Sequence, residues 1–346
     1  MNYLLFATLS YSYGILRPLQ DEIRRRGHRV AWYLEPSCPD MLVQGEERLT
    51  TIEQVKEFNP VAVFAPGNYI PHFFPGVKVA LFHGYPIFKR PNDRYSHFRI
   101  RGWFDIYCTQ GPAATEPFKK LEKKLGFFKV YETGWAKNDT FFDRPTDNTL
   151  HNPPTILYST TFTKGITSVY TMLPVIRQLA QKRDWKWIII FHPKLTDPAL
   201  LEDYKKLEAD CPNVTFKRFG EGADTYRQTD VMLCDSSSII IEYMLLQKPV
   251  VTFRNTNPGP WLLDVHETSE IEVAIDKALT YPPELMAEIS KYINNQDPYR
   301  DGRNCARILD AVDDFIANHK VSLKAKPLNL VRKYKMRKRF NYWRLK

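Results

Sequence analysis

Short apolar runs alternate with stretches of helical periodicity along most of this chain. Tyr3–Ala7 is apolar throughout and predicts a strand. A Ser10-Tyr11-Ser12-Tyr13-Gly14 loop follows it. Apolar residues at 15, 16, 19 and 23 then recur at helical spacing between Ile15 and Arg26, and Gly27 marks the stop. Arg29–Leu34 returns to strand, and Val61–Ala65, Val77–Phe82 and Asp105–Thr109 are further strand runs. Strands alternating with helices predict a parallel sheet covered on both faces.

The pattern breaks between Phe142 and Pro154, where a polar, proline-containing stretch predicts a linker. A second alternation begins after it. Strands are predicted at Thr155–Ser159, Lys186–Phe191, Asn213–Lys217, Asp230–Cys234 and Pro249–Phe253, and helices at Ile166–Lys182, Pro198–Ala209 and Ser237–Leu246. Helices near Thr268–Leu279 and Pro283–Asn294 close the lobe, and Arg307–His319 reads as a last helix crossing back to the first domain. The expected organisation is α/β: two Rossmann-like, doubly wound domains facing a cleft, at 1–150 and 151–319, with a basic tail at 320–346.

The 346 residues are 43% hydrophobic, which suits two globular cores and excludes a mostly disordered chain. No apolar run approaches the ~18 residues of a membrane-spanning helix. Asn2–Thr8 lacks a basic flank and runs into the Ser/Tyr loop, so it reads as a first strand and not as a signal peptide. Five scattered cysteines without a C-x-x-C pair (Cys38, Cys108, Cys211, Cys234, Cys305) argue against a disulfide framework or a zinc site and suit a reducing cytoplasm.

Charge changes the picture only at one end. Residues 320–346 carry 11 Lys and Arg and no acid, which is more than the whole net charge of +10. The body is therefore close to neutral. Leu328, Leu330, Val331, Tyr334, Met336, Phe340, Tyr342 and Trp343 interleave with those bases. Such a segment suits an anionic membrane surface, where each Lys or Arg contributes roughly 1 kcal/mol and aromatics insert at headgroup depth. A solvated basic end is the plainer reading. Nucleic-acid binding is the least favoured and is not expected as a partner class.

Ligands of open α/β sheets bind beyond the carboxyl ends of the strands. Val79-Ala-Leu-Phe-His83-Gly84 ends one such strand and Trp187-Ile-Ile-Ile-Phe-His192-Pro193 ends another, one in each half of the chain. A lone histidine is more often structural, but a pair at equivalent strand ends suits proton transfer near neutral pH. In Val231-Met-Leu-Cys-Asp235-Ser236-Ser237-Ser238-Ile-Ile-Ile-Glu242-Tyr243, a strand, a turn of small hydroxyl residues and a helix follow one another. Serines at a helix start either cap the helix or hold a phosphate. Glu242 is placed to reach a ribose hydroxyl or to face solvent. Thr160-Thr161-Phe162-Thr163-Lys164-Gly165 is a donor-rich loop, and Gly134-Trp135-Ala136-Lys137-Asn138-Asp139 a turn with one base. Neither a Walker-type nor a G-x-G-x-x-G glycine loop is present.

Taken in order, these segments resemble the CDP-glycerol glycerophosphotransferases of teichoic-acid and capsule synthesis over about residues 80 to 255. The family's His-Gly-Thr/Tyr-Pro-x-x-Lys is similar to His83-Gly84-Tyr85-Pro86-Ile87-Phe88-Lys89, and its Gly-Tyr-Pro-Arg-Asn-Asp to Gly134–Asp139. Its Leu-Tyr-Ala-Pro-Thr-Trp-Arg is similar to Leu157–Thr163, its His-Pro to His192-Pro193, and its Asp-Tyr-Ser-Ser-x-x-x-Asp/Glu-Tyr to Asp235–Tyr243, followed by Lys248-Pro249. Lys137 and Thr163 stand where the family has arginine, and Ser236 where it has tyrosine, so sugar donors stay open.

The resemblance implies a GT-B fold and an enzyme moving a polyol phosphate from a CDP-activated donor to a hydroxyl of a membrane-linked glycan. It implies His83 as general base and His192 as the group neutralising the pyrophosphate. Asp235, Ser236, Ser237, Ser238, Glu242, Lys164, Thr161 and Lys137 are implied at the donor, and Gly84, Tyr85 and Lys89 at the acceptor. The nucleotide-activated donor is a substrate; no cofactor and no metal site are expected. The implied location is the inner face of the cytoplasmic membrane, with the tail on anionic lipid. A GT-B glycosyltransferase or an epimerase acting on a nucleotide sugar, and a non-catalytic adaptor that kept the fold, are the alternatives.

Overall fold

A computed structural model describes residues 1–86, 97–144, 149–192, 194–217, 222–320 and 322–344. The chain forms two compact units. The first contains Met1–Tyr85, the described residues from 97 to Asp143, and everything described from Gln296 onward; Pro86 and the described residues from Arg144 to Asn295 make up the second. The division differs from the expected one at its second boundary: the segment from Gln296 to 319, and the tail after it, belong to the first unit.

The first unit holds a seven-stranded sheet in the order β3-β2-β1-β4-β5-β6-β7. Its strands are β1 (Asn2–Ala7), β2 (Arg29–Leu34), β3 (Arg48–Leu49), β4 (Ala62–Ala65), β5 (Val77–Ala80), β6 (Ile106–Thr109) and β7 (Lys129–Glu132). Every pairing is parallel. Parallel strands are covered on both faces, which is why the central runs are continuously apolar. The second unit repeats the plan with six strands in the order β10-β9-β8-β11-β12-β13, again all parallel. These are β8 (Thr155–Thr160), β9 (Lys186–Phe191), β10 (Val214–Lys217), β11 (Val231–Cys234), β12 (Val250–Phe253) and β13 (Leu263–Val265). Strand order reverses between β1 and β4 in one sheet and between β8 and β11 in the other, the points where doubly wound sheets bind ligands.

Edge strands β3, β7 and β13 escape the apolar pattern because they are short and half-exposed. Helix α1 (Tyr11–Arg25) starts inside the expected loop. Ser12 explains this: its hydroxyl accepts from the Thr8 amide at 3.3 Å, so the Ser/Tyr segment supplies the first turn. The helix after β11 is shorter than Ser237–Leu246 and spans only Ile239–Met244.

The tail is docked. It carries a helix, Leu330–Arg339, whose Met336 is buried, and Tyr342 just beyond is buried too. Tyr342 packs on Phe73 at 4.8 Å and Phe340 on Phe6 at 6.2 Å between ring centres, so both join the core cluster of the first unit. Lys326 pairs with Asp105 at 2.6 Å, Arg344 with Glu53 at 3.3 Å, and Arg339 with the buried carboxylate of Glu35. The tail's bases therefore divide into those neutralised by the body and those facing outward. Among the described residues no helix is long and apolar enough to cross a membrane.

Candidate functional site

At the switch point of the second sheet, the loops after β8 and β11 meet on one carboxylate. Asp235 is fully buried and accepts from the amides of Thr161 at 2.8 Å, Ser168 at 2.9 Å and Ser236 at 2.6 Å, from the Ser168 hydroxyl at 3.1 Å, and from the Thr160 hydroxyl. A buried charge is tolerable only with such a set of donors. The result fixes the Thr160–Ser168 loop against the serine turn. Asn255 donates to the Asp235 carbonyl at 2.6 Å, and the Thr256 amide donates to the Ser236 hydroxyl at 2.9 Å. The Ser237 and Ser238 hydroxyls have no hydrogen bond among the described residues and are partly exposed. Glu242 is buried and does not face solvent.

Register places three neighbours side by side. Thr160 pairs with Phe191 and Tyr158 with Leu233, so the residues continuing β9, β8 and β11 form one row at the sheet's carboxyl edge. Adjacent strands lie about 4.8 Å apart, so this row spans about 10 Å from the β9 end to the β11 end, the reach of a diphosphate. His192 opens the row. Its Nδ1 accepts from the Lys194 amide at 3.1 Å, which in the neutral ring leaves the proton on Nε2. The His192 ring packs on Phe162 with centres 4.4 Å apart, and the Lys194 ammonium lies 5.1 Å from the same ring. Phe162 is exposed.

In the first unit, His83 follows β5 and is exposed, with the Tyr11 ring 5.3 Å away. Its neighbours are fixed. Phe82 has φ +58, a left-handed conformation costly for an aromatic residue, and its carbonyl accepts from the Trp135 indole at 3.3 Å. The Gly84 carbonyl accepts from Gln110 at 3.0 Å. Tyr85 is buried, and its hydroxyl donates to Asp297 at 2.9 Å and accepts from Asn138 at 2.5 Å. Asp297 also accepts from Asn138 at 2.7 Å and from the amides of Trp135 and Tyr299, both at 3.3 Å. Burial pushes its carboxyl up to about 7. Asp139 caps the helix Asn304–Asp314 by accepting from the Asn304 and Cys305 amides, each at 2.8 Å. Gly134 (φ +75) lies so close to Asn304 that a Cβ would collide with its side-chain amide.

The expected site residues thus divide. Thr161, Asp235 and Ser236 converge through direct hydrogen bonds, and Ser237 and Ser238 continue their turn. His192 stands in the same row of strand ends. Lys164 is exposed on the loop after β8. Lys137 lies on the first unit, its ammonium 5.4 Å from the Trp135 ring. Tyr85 points into the Asp297 cluster, so its hydroxyl is occupied by the protein instead of by an acceptor. Lys89 and Pro193 fall outside the described residues. Lys248 is buried and donates to three carbonyls, those of Tyr226, Arg227 and Thr229, which makes it a structural clamp. Phe162, Lys194, Gln110 and Asp297 were not singled out by sequence reasoning. Nothing but position in the fold marks them.

No protein-family model matches the chain, and no curated protein sequence is significantly similar to it. Its fold is nevertheless shared with solved enzymes. The wall teichoic acid polymerase TagF superposes with a TM-score of 0.63 at 14% identity, covering 91% of this chain and 89% of that one. The S. aureus MnaA-UDP co-structure gives 0.61 at 15% identity, covering 94% and 99%. A UDP-N-acetylglucosamine 2-epimerase gives 0.57 at 16% identity, covering 94% and 98%. The chain has the two-domain, GT-B-type α/β fold of these enzymes.

Asp297 makes stability pH-dependent. A carboxyl held near 7 when folded, and near 4 when unfolded, binds its proton more tightly in the folded state. Its contribution is therefore full below about pH 4 and is lost as pH rises to about 7. Asp297→Asn removes that loss. Its melting temperature relative to wild type should climb on the order of 5 °C between about pH 5 and pH 8, measured by scanning calorimetry. An offset independent of pH would contradict the assignment.

Proposed function

We propose that this protein is a transferase that moves a polyol phosphate from a CDP-activated donor to a hydroxyl of a membrane-linked surface glycan. The observation that carries this reading is the row at the second sheet's switch point. There Asp235 holds two loops in place, the Ser237 and Ser238 hydroxyls have no hydrogen bond among the described residues, and His192 follows the neighbouring strand. The six-residue helix behind the turn adds little dipole, so hydroxyls, amides and His192 are the phosphate-binding groups. The fold shared with TagF supports the reading, and so does a TagF variant soaked with CDPG.

His83 is the general base in this account. Its exposed ring takes the proton of the acceptor hydroxyl, and that oxygen attacks the phosphorus of the polyol phosphate. The phosphoanhydride bond to CMP breaks, and CMP leaves with its charge neutralised by His192 and the serines. Alignment and charge neutralisation are what phosphoryl transfer requires of a protein. The strained Phe82 and the fixed Gly84 carbonyl confine the His83 backbone, which suits a positioned base. Asp235 and Tyr85 act as positioning residues, without touching substrate.

The similarity to UDP-bound MnaA favours a second reading, in which the donor is a nucleotide sugar. Product analysis separates the two. A CDP-polyol donor releases CMP, an NDP-sugar releases a nucleoside diphosphate, and mass spectrometry of the glycan product excludes a CMP-sugar. His83→Ala is expected to lower turnover 10²–10⁴-fold with an unchanged melting temperature. Near-wild-type turnover in the folded variant would remove His83 as base.

The tail's expected membrane association is assigned here to one exposed face. Leu328, Leu330, Val331, Tyr334 and Trp343 are all exposed, at 49–72% of their surface, beside the exposed Lys335 and Lys338. This face offers apolar insertion and basic attraction together. Deleting residues 320–346 would also strip Met336 and Tyr342 from the core, so point variants are the better test. Leu330→Glu combined with Val331→Glu should pellet at least tenfold more weakly with phosphatidylglycerol vesicles at unchanged melting temperature. Equal pelleting would contradict a membrane role.

A further inference from the structure

A recess at the carboxyl ends of β4 and β5 lies beside the proposed base in the first unit. It is lined by Gly67, Asn68, Phe82, His97, Arg99 and Arg101 among others, and its enclosed part measures about 20 Å³, room for one oxygen-sized group. Phe82 forms part of its wall and precedes His83 in the chain. The recess lies next to the switch point of the first sheet, the position that the serine turn occupies in the second.

The charge around it is unbalanced. Among the described residues Arg101 reaches only long hydrogen bonds, 3.4 Å to the Asn68 amide oxygen and 3.3 Å to the Arg99 carbonyl. A third guanidinium, from Arg332 of the docked tail, donates to the Arg101 carbonyl at 3.1 Å. Among the described residues, no carboxylate pairs with Arg99, Arg101 or Arg332. Burial, Arg99 and Arg332 all push the Arg101 pKa down, so the cluster repels itself. His97 packs on Phe82 at 5.7 Å, and its buried Nε2 has no hydrogen-bond partner among the described residues. Proteins seldom leave guanidinium groups grouped without an acid, or a buried ring nitrogen unpaired, unless a ligand completes the set.

We infer that His97, Arg99 and Arg101 bind a phosphate group, either a phosphomonoester or a diphosphate, carried by the acceptor substrate. Assigning the group to the acceptor rests on the transferase reading above; the anion site itself does not. Arg99 is exposed and takes the anion from solvent, and Arg101 closes on it from the wall of the recess. An acceptor so anchored would present its hydroxyl near His83.

The test is a titration of the full chain with inorganic pyrophosphate, followed through the imidazole carbon–proton signal of His97 by NMR. A saturable shift is expected in wild type and in His192→Ala. Arg99→Gln, at an exposed position, and Arg99→Gln with Arg101→Gln should weaken the apparent affinity at least tenfold with the melting temperature retained. A pyrophosphate shift that survives both substitutions unchanged would overturn the site. Vesicles containing phosphatidic acid replace pyrophosphate in a second arm. A response to either probe supports the site and names the source of the phosphate, and a response to neither overturns it. Failure of CDP-polyols and nucleotide sugars to bind the second unit would count against the transferase reading and leave this site standing.

Discussion

Five hydrogen bonds converge on the Asp235 carboxylate, and the carboxyl edge of the second sheet depends on them. The donors come from the loop after β8, from Ser168 at the head of the helix Val169–Lys182, and from the serine turn after β11. Apart from Thr160, the last residue of β8, these donors lie beyond the sheet, where loops have no ladder partner. One buried charge substitutes for that ladder. It leaves the carboxylate saturated and inaccessible, while the Ser237 and Ser238 hydroxyls have no hydrogen bond among the described residues. The first unit uses the same device at Asp297, where a carboxyl gathers Tyr85, Trp135, Asn138 and Tyr299 and so steadies the chain on the far side of His83.

The C-terminal segment shows how one sequence feature can serve two ends. Its apolar residues divide between faces: Met336 and Tyr342 complete the first core, and Leu330, Val331 and Trp343 stay outside. Its bases divide likewise, with Lys326, Arg339 and Arg344 paired to acids of the body and Lys335 and Lys338 turned outward. A free arm would lose much of its binding energy to ordering. A docked one has already met that cost in folding.

Both sheets were legible in the chain because parallel strands buried on two faces read as unbroken apolar runs, as Tyr3–Ala7 and Lys186–Phe191 do. Edge strand β10 was legible too, but β3, β7 and β13 were not, since they are short and partly exposed and carry no apolar run. His83, His192 and the serine turn were legible because strand-end positions are visible in sequence. Their supports were not. Asp297 lies 212 residues from the tyrosine it holds, and no local pattern links the two. The chain's return to the first unit after Gln296 was likewise hidden, although Arg307–His319 read as a helix crossing back. The tail looked like a solvated or membrane-bound arm because alternation of bases with aromatics fits either state; only packing against Phe6 and Phe73 decides that it is docked.

Ligand-induced thermal shift tests the central claim, that the second unit's edge holds a CDP-activated polyol donor, most directly. At ligand concentrations about 100 times the dissociation constant, binding adds about 2.7 kcal/mol, a shift readily seen. CDP-glycerol, CDP-ribitol and CMP should raise the melting temperature of the wild-type chain, and Ser237→Ala should diminish the rise. Stabilisation by UDP-sugars alone would contradict the account and make the protein a nucleotide-sugar enzyme.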